Sequence, residues 1–246
     1  MIADDLPAIE QAAVRGWPAL HAQDIDGWLA RWSSGGSVRA NSVAALAFHG
    51  ADLDSSIARV VAFYRGKGGT PMFTISDASA PSGLDEALAA RGWERHGEHV
   101  TMAKDVAREA VPPADVLLEP APGPSWRAAY MQGLSESRRG IAAQLVAGTP
   151  EPRTFVSCVR GGRVVASGLT IHDGIHASVQ CMATEVGARR TGAASAVLAA
   201  IEAVAARSGM RRLYLQTDAD NAAAIGLYRR FGFQVAGRYH TRTLSR

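Results

Sequence analysis

The chain has 246 residues, 47% of them hydrophobic and 20% charged, with a formal net charge of +3 and a pI near 9.1. That is apolar material for one large domain or two ordinary ones, without the strong basic footprint of a nucleic-acid or anionic-membrane binder. No run approaches the roughly 18 apolar residues of a membrane span, and the opening MIADDLPAIEQAAVRGW lacks the basic-then-apolar order of a secretory signal. A cytoplasmic protein with no nucleic-acid partner, no membrane partner and no bound metal is therefore expected. Cys158 and Cys181 both fall in runs that read as buried strands, so inert thiols and no disulfide are expected.

In chain order, Gly27 to Trp32 and Val38 to Leu46 alternate like paired strands around the turn SSGGS, Leu53 to Tyr64 has helical spacing, and Met72 to Ile75 reads as a strand. A helix from about Leu84 to Arg91 and a strand near Glu98 to Met102 follow. VPPADVLLEPAPGPSW then places five prolines between Pro112 and Pro124, which rules out a continuous helix and puts a boundary near residues 106 to 114. Beyond it come a short strand at Val116 to Leu118 and a helical stretch from Trp126 to Val146, broken around Gly133. Three strands follow, Thr154 to Val159, Val164 to Ile171 and Ala177 to Met182, joined by the turns RGGR and HDGI. A helix over Val197 to Ala205, a strand at Arg212 to Gln216, a helix from about Asn221 to Phe231 and a strand from Phe233 to about Thr241 complete an α/β order.

The segment GARRTGAASAVLAAIEAVAARSG, Gly187 to Gly209, sits where the last antiparallel strand gives way to a helix. Val197, Leu198, Ile201, Val204 and Ala205 follow helical spacing and mark a packed face. At its start, Arg189, Arg190, Thr191, Gly192 and Ala193 offer free backbone N–H groups at the positive end of a helix dipole, and Gly192 lets an anion approach closely. A basic, Thr191-capped helix with no ligand fits the same residues. The stretch is neither a Walker loop nor a dinucleotide fingerprint, because the further glycines and the Gly-Lys-Ser/Thr ending are missing.

Arg189-x-x-Gly192-x-Ala194, followed by Asn221-x-x-Ala224-x-x-x-Tyr228 and then Gly232-Phe233, resembles the two conserved segments of the GNAT superfamily of N-acetyltransferases. The resemblance covers residues 115–246 and implies an acetyl-CoA-binding domain whose Arg190 to Ala194 backbone holds the coenzyme pyrophosphate. It also implies that the strand around Met182 and Thr184 pairs with the pantetheine arm in a splay between two parallel strands, and that Asn221 contacts the coenzyme. An N-cap role for Asn221 is equally open. Tyr228 falls where the superfamily places the acid that protonates the departing thiolate; simple packing beside Ile225 and Phe231 is the alternative. The Met182 N–H is expected to stabilise the oxyanion. For a general base, His176, Glu185, Asp218 and His240 are candidates, none favoured.

Residues 1–106 resemble a worn copy of the same unit. Laying Gly92-Trp93 on Gly232-Phe233 puts Leu88 on Tyr228 and Pro81 on Asn221, so the acid and the asparagine are missing. YRGKGG at Tyr64 to Gly69 imitates a phosphate loop in the reverse order, after a helix and before a strand. The expected architecture is thus two GNAT-like domains, each a mixed, mostly antiparallel sheet flanked by helices. If the first walls the acceptor pocket, Trp28, Arg31, Arg39 and Asn41 are the side chains to consider. The implied activity is acetyl transfer from acetyl-coenzyme A to a small-molecule, peptide or protein amine by direct attack in a ternary complex. The alternative is a non-catalytic acyl-CoA-binding regulatory or scaffold protein.

Overall fold

The computed structural model describes residues 5–245; residues 1–4 and 246, the outer limits of the two expected halves, lie outside it. The first half contains helix α1 (Leu6–Gly16), strands β1 (His21–Ile25), β2 (Trp28–Trp32) and β3 (Val43–Ala44), helix α2 (Leu53–Gly66), strand β4 (Met72–Ser76), helix α3 (Leu84–Ala90) and strand β5 (Glu94–Asp105). The second contains β6 (Val116–Glu119), α4 (Pro124–Gln132), α5 (Glu136–Ala147), β7 (Arg153–Arg160), β8 (Arg163–Asp173), β9 (His176–Ser178), β10 (Gln180–Thr184), α6 (Ala193–Arg207), β11 (Arg212–Asp218), α7 (Ala222–Arg230) and β12 (Gln234–Thr243). Residues 106–115, where the prolines begin, carry neither helix nor strand.

The strands form one mixed sheet in the order β1-β2-β3-β4-β12-β5-β11-β9-β8-β7-β6, with β10 continuing beside β8. Among the described residues only β3–β4 and β9–β11 pair in parallel, each pair bridged by the crossover helix that parallel strands require. The order shows a reciprocal exchange. The last strand of the second half, β12, lies between β4 and β5, while the last strand of the first half, β5, lies between β12 and β11. Neither half completes its sheet alone.

The internal repeat extends to individual hydrogen bonds. At the end of α3 the N–H groups of Arg91 and Trp93 both reach the Leu88 carbonyl, and at the end of α7 those of Phe231 and Phe233 both reach the Tyr228 carbonyl. Gly92 and Gly232 stand at φ +78° and +86° between them, a conformation that costs glycine least. Leu88 thus occupies in the first half the place that Tyr228 holds in the second, and it is wholly buried.

Helices α2 and α3 cover the first half around Trp28, Tyr64, Phe73 and Trp93. Helices α6 and α7 cover the second, where Val197, Leu198 and Ile201 are completely buried. Each such side chain stabilises the fold by about 1.5–3 kcal/mol, more than the roughly 1 kcal/mol of a cap, so packing rather than capping fixes α6. The opposite face carries α4 and α5 over Trp126, Phe155 and Leu169, and α1 over Ala103 and Tyr214. Both cysteines are free, as expected. Burial pushes the Cys181 thiol up to about 12, and burial with the Asp115 carboxylate raises that of Cys158, so both are poor nucleophiles. Among the described residues no helix is long and apolar enough to cross a membrane.

Candidate active site

Strand β9 pairs with β11 for three residues, Arg212↔His176 to Tyr214↔Ser178, and the Val179 N–H still reaches the Tyr214 carbonyl at 2.8 Å. There the two strands part. Beyond Val179 the chain stays with β8, its register shifting at a bulge where Cys181 stands at φ +52°. Residues 215–218 of β11 pair only with β5, which leaves their other edge open toward Met182 and Thr184. This is the splay between two parallel strands, and a bulge is the device that turns a strand away from its neighbour.

From β10 the chain makes one 3-10 turn, Val186–Ala188, and then enters α6 through Arg189, Arg190, Thr191 and Gly192. Arg190 at φ +64° and Gly192 at φ +89° are both left-handed, and Gly192 is the N-cap, with no side chain capping the helix. The expected Thr191 cap is therefore not formed: its hydroxyl donates backward to the Ala188 carbonyl at 2.7 Å. The first N–H paired along the helix is that of Ala196, to the Gly192 carbonyl, so those before it are available at the positive end of the dipole. A methyl added at Gly192 would meet nothing closer than Arg160 Nη2 at 4.0 Å. The cradle is open.

Arg160, from the RGGR turn, holds this loop. Its Nη1 donates to both the carbonyl and the hydroxyl of Thr191 at 2.9 Å, and its Nε to Asp115 Oδ2 at 3.0 Å. The pairing lowers the Asp115 carboxyl. Arg189, Arg190, Thr191 and Gly192 are exposed, Ala193 is buried and Ala194 half-buried. The corresponding crossover helix of the first half, α2, begins differently: the Asp52 carboxylate caps it by accepting from the Ser55 N–H at 2.8 Å, and Asp54 follows. Two carboxylates there repel an anion.

Tyr228 lies on α7, 7% exposed, its ring 5.9 Å from that of Phe233. Burial alone pushes its phenol up to about 12. It shares one apolar cluster with Met182 from the splayed strand and Ala193 from the first turn of α6, so motif residues distant in sequence converge. Asn221 is the N-cap of α7, its side chain accepting from the Ala224 N–H at 3.1 Å.

The four candidate bases separate by position. His176 sits at the closed end of β9 and bonds Asp5 at 3.1 Å; His240 bonds Asp85 at 2.8 Å in the first half; Glu185 pairs with Arg163 at 2.8 Å. Asp218 stands at the open end of β11 and, as a carboxylate, accepts from His99 Nδ1 at 2.8 Å. His99 comes from exchanged strand β5 and stacks on Tyr239 of β12, centroids 4.7 Å apart. Sequence reasoning missed His99, Arg160 and Glu10. Glu10, on α1, is 5% exposed and accepts from Thr101 Oγ1 at 2.7 Å; its only sequence signal is an acid lying between Ile9 and Ala13 on an apolar helix face.

The four side chains considered for a pocket divide likewise. Trp28 is core, its Nε1 donating to the Ala80 carbonyl, and Asn41 ties the 33–37 loop through four hydrogen bonds. Arg31 and Arg39 line a pocket between the halves.

An α/β unit repeated in two halves, the second with a crossover helix whose bare N-terminus adjoins a splayed parallel strand pair, defines a GNAT-type N-acetyltransferase. Residues 3–242 match the family described as "Probable histone acetyltransferase Rv0428c C-terminal", and the chain belongs to that family. It is 29% identical over 250 residues to "Uncharacterized N-acetyltransferase YobR" of Bacillus subtilis strain 168, which covers 97% of this chain and 98% of that protein. Among solved structures it is similar to a GCN5-related N-acetyltransferase from Kribbella flavida, with TM-score 0.69, 16% identity and coverage of 100% and 96% of the two chains. It is also similar to a tandem GNAT protein from the clavulanic acid biosynthesis pathway, with TM-score 0.64, 14% identity and coverage of 82% and 74%.

Proposed function

We propose that this enzyme transfers an acetyl group from acetyl-CoA to an amine by direct attack within a ternary complex. The observation that carries the reading is the open cradle at Gly192 beside the unpaired edge of β11. In this reading the N–H groups from Arg190 to Ala194 hold the pyrophosphate, with Arg160 and Arg189 adding positive charge, and Asn221 contacts the coenzyme beyond them. Met182 and Thr184 present strand edge to the amides of the pantetheine arm, as in strand addition.

Bound there, the acetyl thioester supplies an activated carbonyl. The Met182 N–H stabilises the negative charge that develops on its oxygen. Tyr228, kept protonated by burial, donates to the departing sulfur. His99, oriented by Asp218, takes the proton that the acceptor ammonium must lose. Holding both reactants in the splay supplies much of the acceleration through orientation. The acceptor is a small-molecule, peptide or protein amine.

The test is thiol release from acetyl-CoA with a panel of amines, beside the melting temperature with and without acetyl-CoA. Thiol release that depends on the amine and a raised melting temperature are expected. A raised melting temperature with no turnover of any amine would make the chain an acyl-CoA-binding protein without catalysis. No shift at saturating acetyl-CoA would remove the reading.

A further inference from the structure

On the α1 side of the sheet, between the halves, lies a small pocket of about 20 Å³, room for about one water-sized polar group, with a mouth open to solvent. Ala13, Val14, Ala45 and Leu46 give it apolar walls; Glu10, Arg31, Arg39, Gln216 and Tyr239 give it polar ones. It adjoins the splay, because Gln216 belongs to the part of β11 beyond its pairing with β9. Arg39 donates to Gln216 Oε1 at 3.3 Å, its guanidinium lies over the Trp17 ring, and its charge is felt at Cys181 in the bulge.

The charges in this pocket do not balance. Arg31 is 3% exposed, yet its donors go to the carbonyl of Ser42 at 3.1 Å and, more weakly, to that residue's hydroxyl at 3.5 Å. Among the described residues neither Arg31 nor Arg39 has a carboxylate within ion-pair distance. Burial pulls Arg31 down to about 10, and the like charge of Arg39 adds to the effect. Glu10 is the one acid in the lining, and its oxygens are engaged by Thr101 Oγ1 at 2.7 Å and by Gln216 Nε2 at 3.3 Å. Burial raises its carboxyl while the charges of Arg39 and Arg31 act against that rise, so one acid stands against two guanidinium groups. A desolvated guanidinium without an anion is costly, and its planar fork matches a carboxylate.

We propose that the acceptor is an amine that also carries a carboxylate, its carboxylate end held by Arg31 and Arg39 at the pocket between the halves and its amine outside the pocket, directed to the splay. This rests on the acetyl-transfer reading and names its substrate class. In the step, the bond from nitrogen to the acetyl carbon forms as the carbon–sulfur bond breaks. Ammonium and thioester give amide, thiol and one proton released to solvent.

The experiment compares matched pairs, 5-aminopentanoate with pentylamine and phenylalanine with phenethylamine, alongside a lysine peptide. The carboxylated member is expected to have a kcat/KM at least about tenfold higher, the worth of one charged hydrogen-bond set. Arg39→Gln should raise its KM by about tenfold or more with a much smaller change in kcat, and should cost the plain amine far less than the carboxylated one. Calorimetric titration of the carboxylated amine into the protein alone should show binding that Arg39→Gln loses. An undiminished acetyl-CoA thermal shift in that variant shows that fold and loop are intact. Equal kcat/KM within the pairs, preference for the peptide, or an equal loss for both members would overturn the proposal. Absence of both thiol release and acetyl-CoA binding would overturn the transfer reading instead, and calorimetry would then decide the pocket separately.

Discussion

Gly168 ties the strength of the fold to the site. It is buried on β8, beneath α6, and a methyl placed on it would stand 2.5 Å from Val197 Cγ1, 3.1 Å from Ile201 Cδ1 and 3.1 Å from Met182 Sδ. Carbon atoms pack at about 3.5–4.0 Å, so Gly168→Ala leaves a shortfall of about 1 Å that valine, nearly fixed in one rotamer on a helix, cannot absorb by turning. The helix must lift. Overpacking of this kind costs about 1–3 kcal/mol. With an unfolding entropy of about 0.5 kcal/mol/K for a chain of this length, the melting temperature should fall by about 2–6 °C. Because α6 carries the Gly192 cradle and Met182 borders the splay, acetyl-CoA should also bind more weakly. Scanning fluorimetry with an acetyl-CoA titration measures both. An unchanged melting temperature would refute the close approach of α6 to β8, and a lower one with unchanged affinity would detach that packing from the site.

Gly192→Glu should abolish the thermal shift from acetyl-CoA, which for the wild type at a hundredfold excess over Kd corresponds to about 2.7 kcal/mol; Gly187→Glu, in open space without a positive φ, should keep it. Tyr228→Phe and His99→Gln should each lower kcat by about 10²–10⁴ with little change in acetyl-CoA affinity, and unchanged kcat in Tyr228→Phe would reduce that residue to packing. Asp85 clasps exchanged strand β12 through Arg242 at 2.8 and 3.1 Å and His240 at 2.8 Å. The Arg242 hydrogen bonds, assisted by His240, hold its carboxyl at about 2. A folded value below the unfolded one, about 3.9, gives stability that is full above the unfolded pKa and lost as pH falls through about 2. Asp85→Asn should therefore melt below the wild type at pH 5, with the gap closing toward pH 2; a gap independent of pH would place the effect elsewhere.

The parts of the site that were legible in the sequence lie on neighbouring elements of the second half, from Met182 to Tyr228. Their signals are local: glycine at a helix start, asparagine before a helix, an aromatic on its buried face. Helix α1 escaped because its short apolar stripe is interrupted by Glu10, and β1 because four of its five residues are exposed. The strand expected over Val38 to Leu46 is far shorter, because a 3-10 turn at Arg39–Asn41 takes up its start and leaves only Val43–Ala44 paired. Arg160, His99 and Glu10 were missed for a different reason. Each reaches the site from a remote strand or helix, and spacing along a chain carries no record of such pairings.

The strand exchange belongs to the same class and explains more than a missed topology. The two final strands, β5 and β12, follow the same lead-in of helix, left-handed glycine and aromatic residue, Gly92-Trp93 and Gly232-Phe233, so nothing local tells which sheet each should enter. Yet the exchange decides what the first half contributes. Its own crossover helix begins with Asp52 and Asp54, and Leu88 stands in the place of Tyr228, so it offers neither an open cradle nor a phenol. Through β5 it supplies His99 beside Asp218 and Thr101 beside Glu10; through the β2–β3 region it supplies Arg31 and Arg39. A chain cut at the proline-rich linker would leave β11 without its only partner at residues 215–218, and with it the wall against which the splay is open. In the proposed reading the first half is thus a structural member of the other half's site, contributing strands and side chains while carrying none of the motif residues itself.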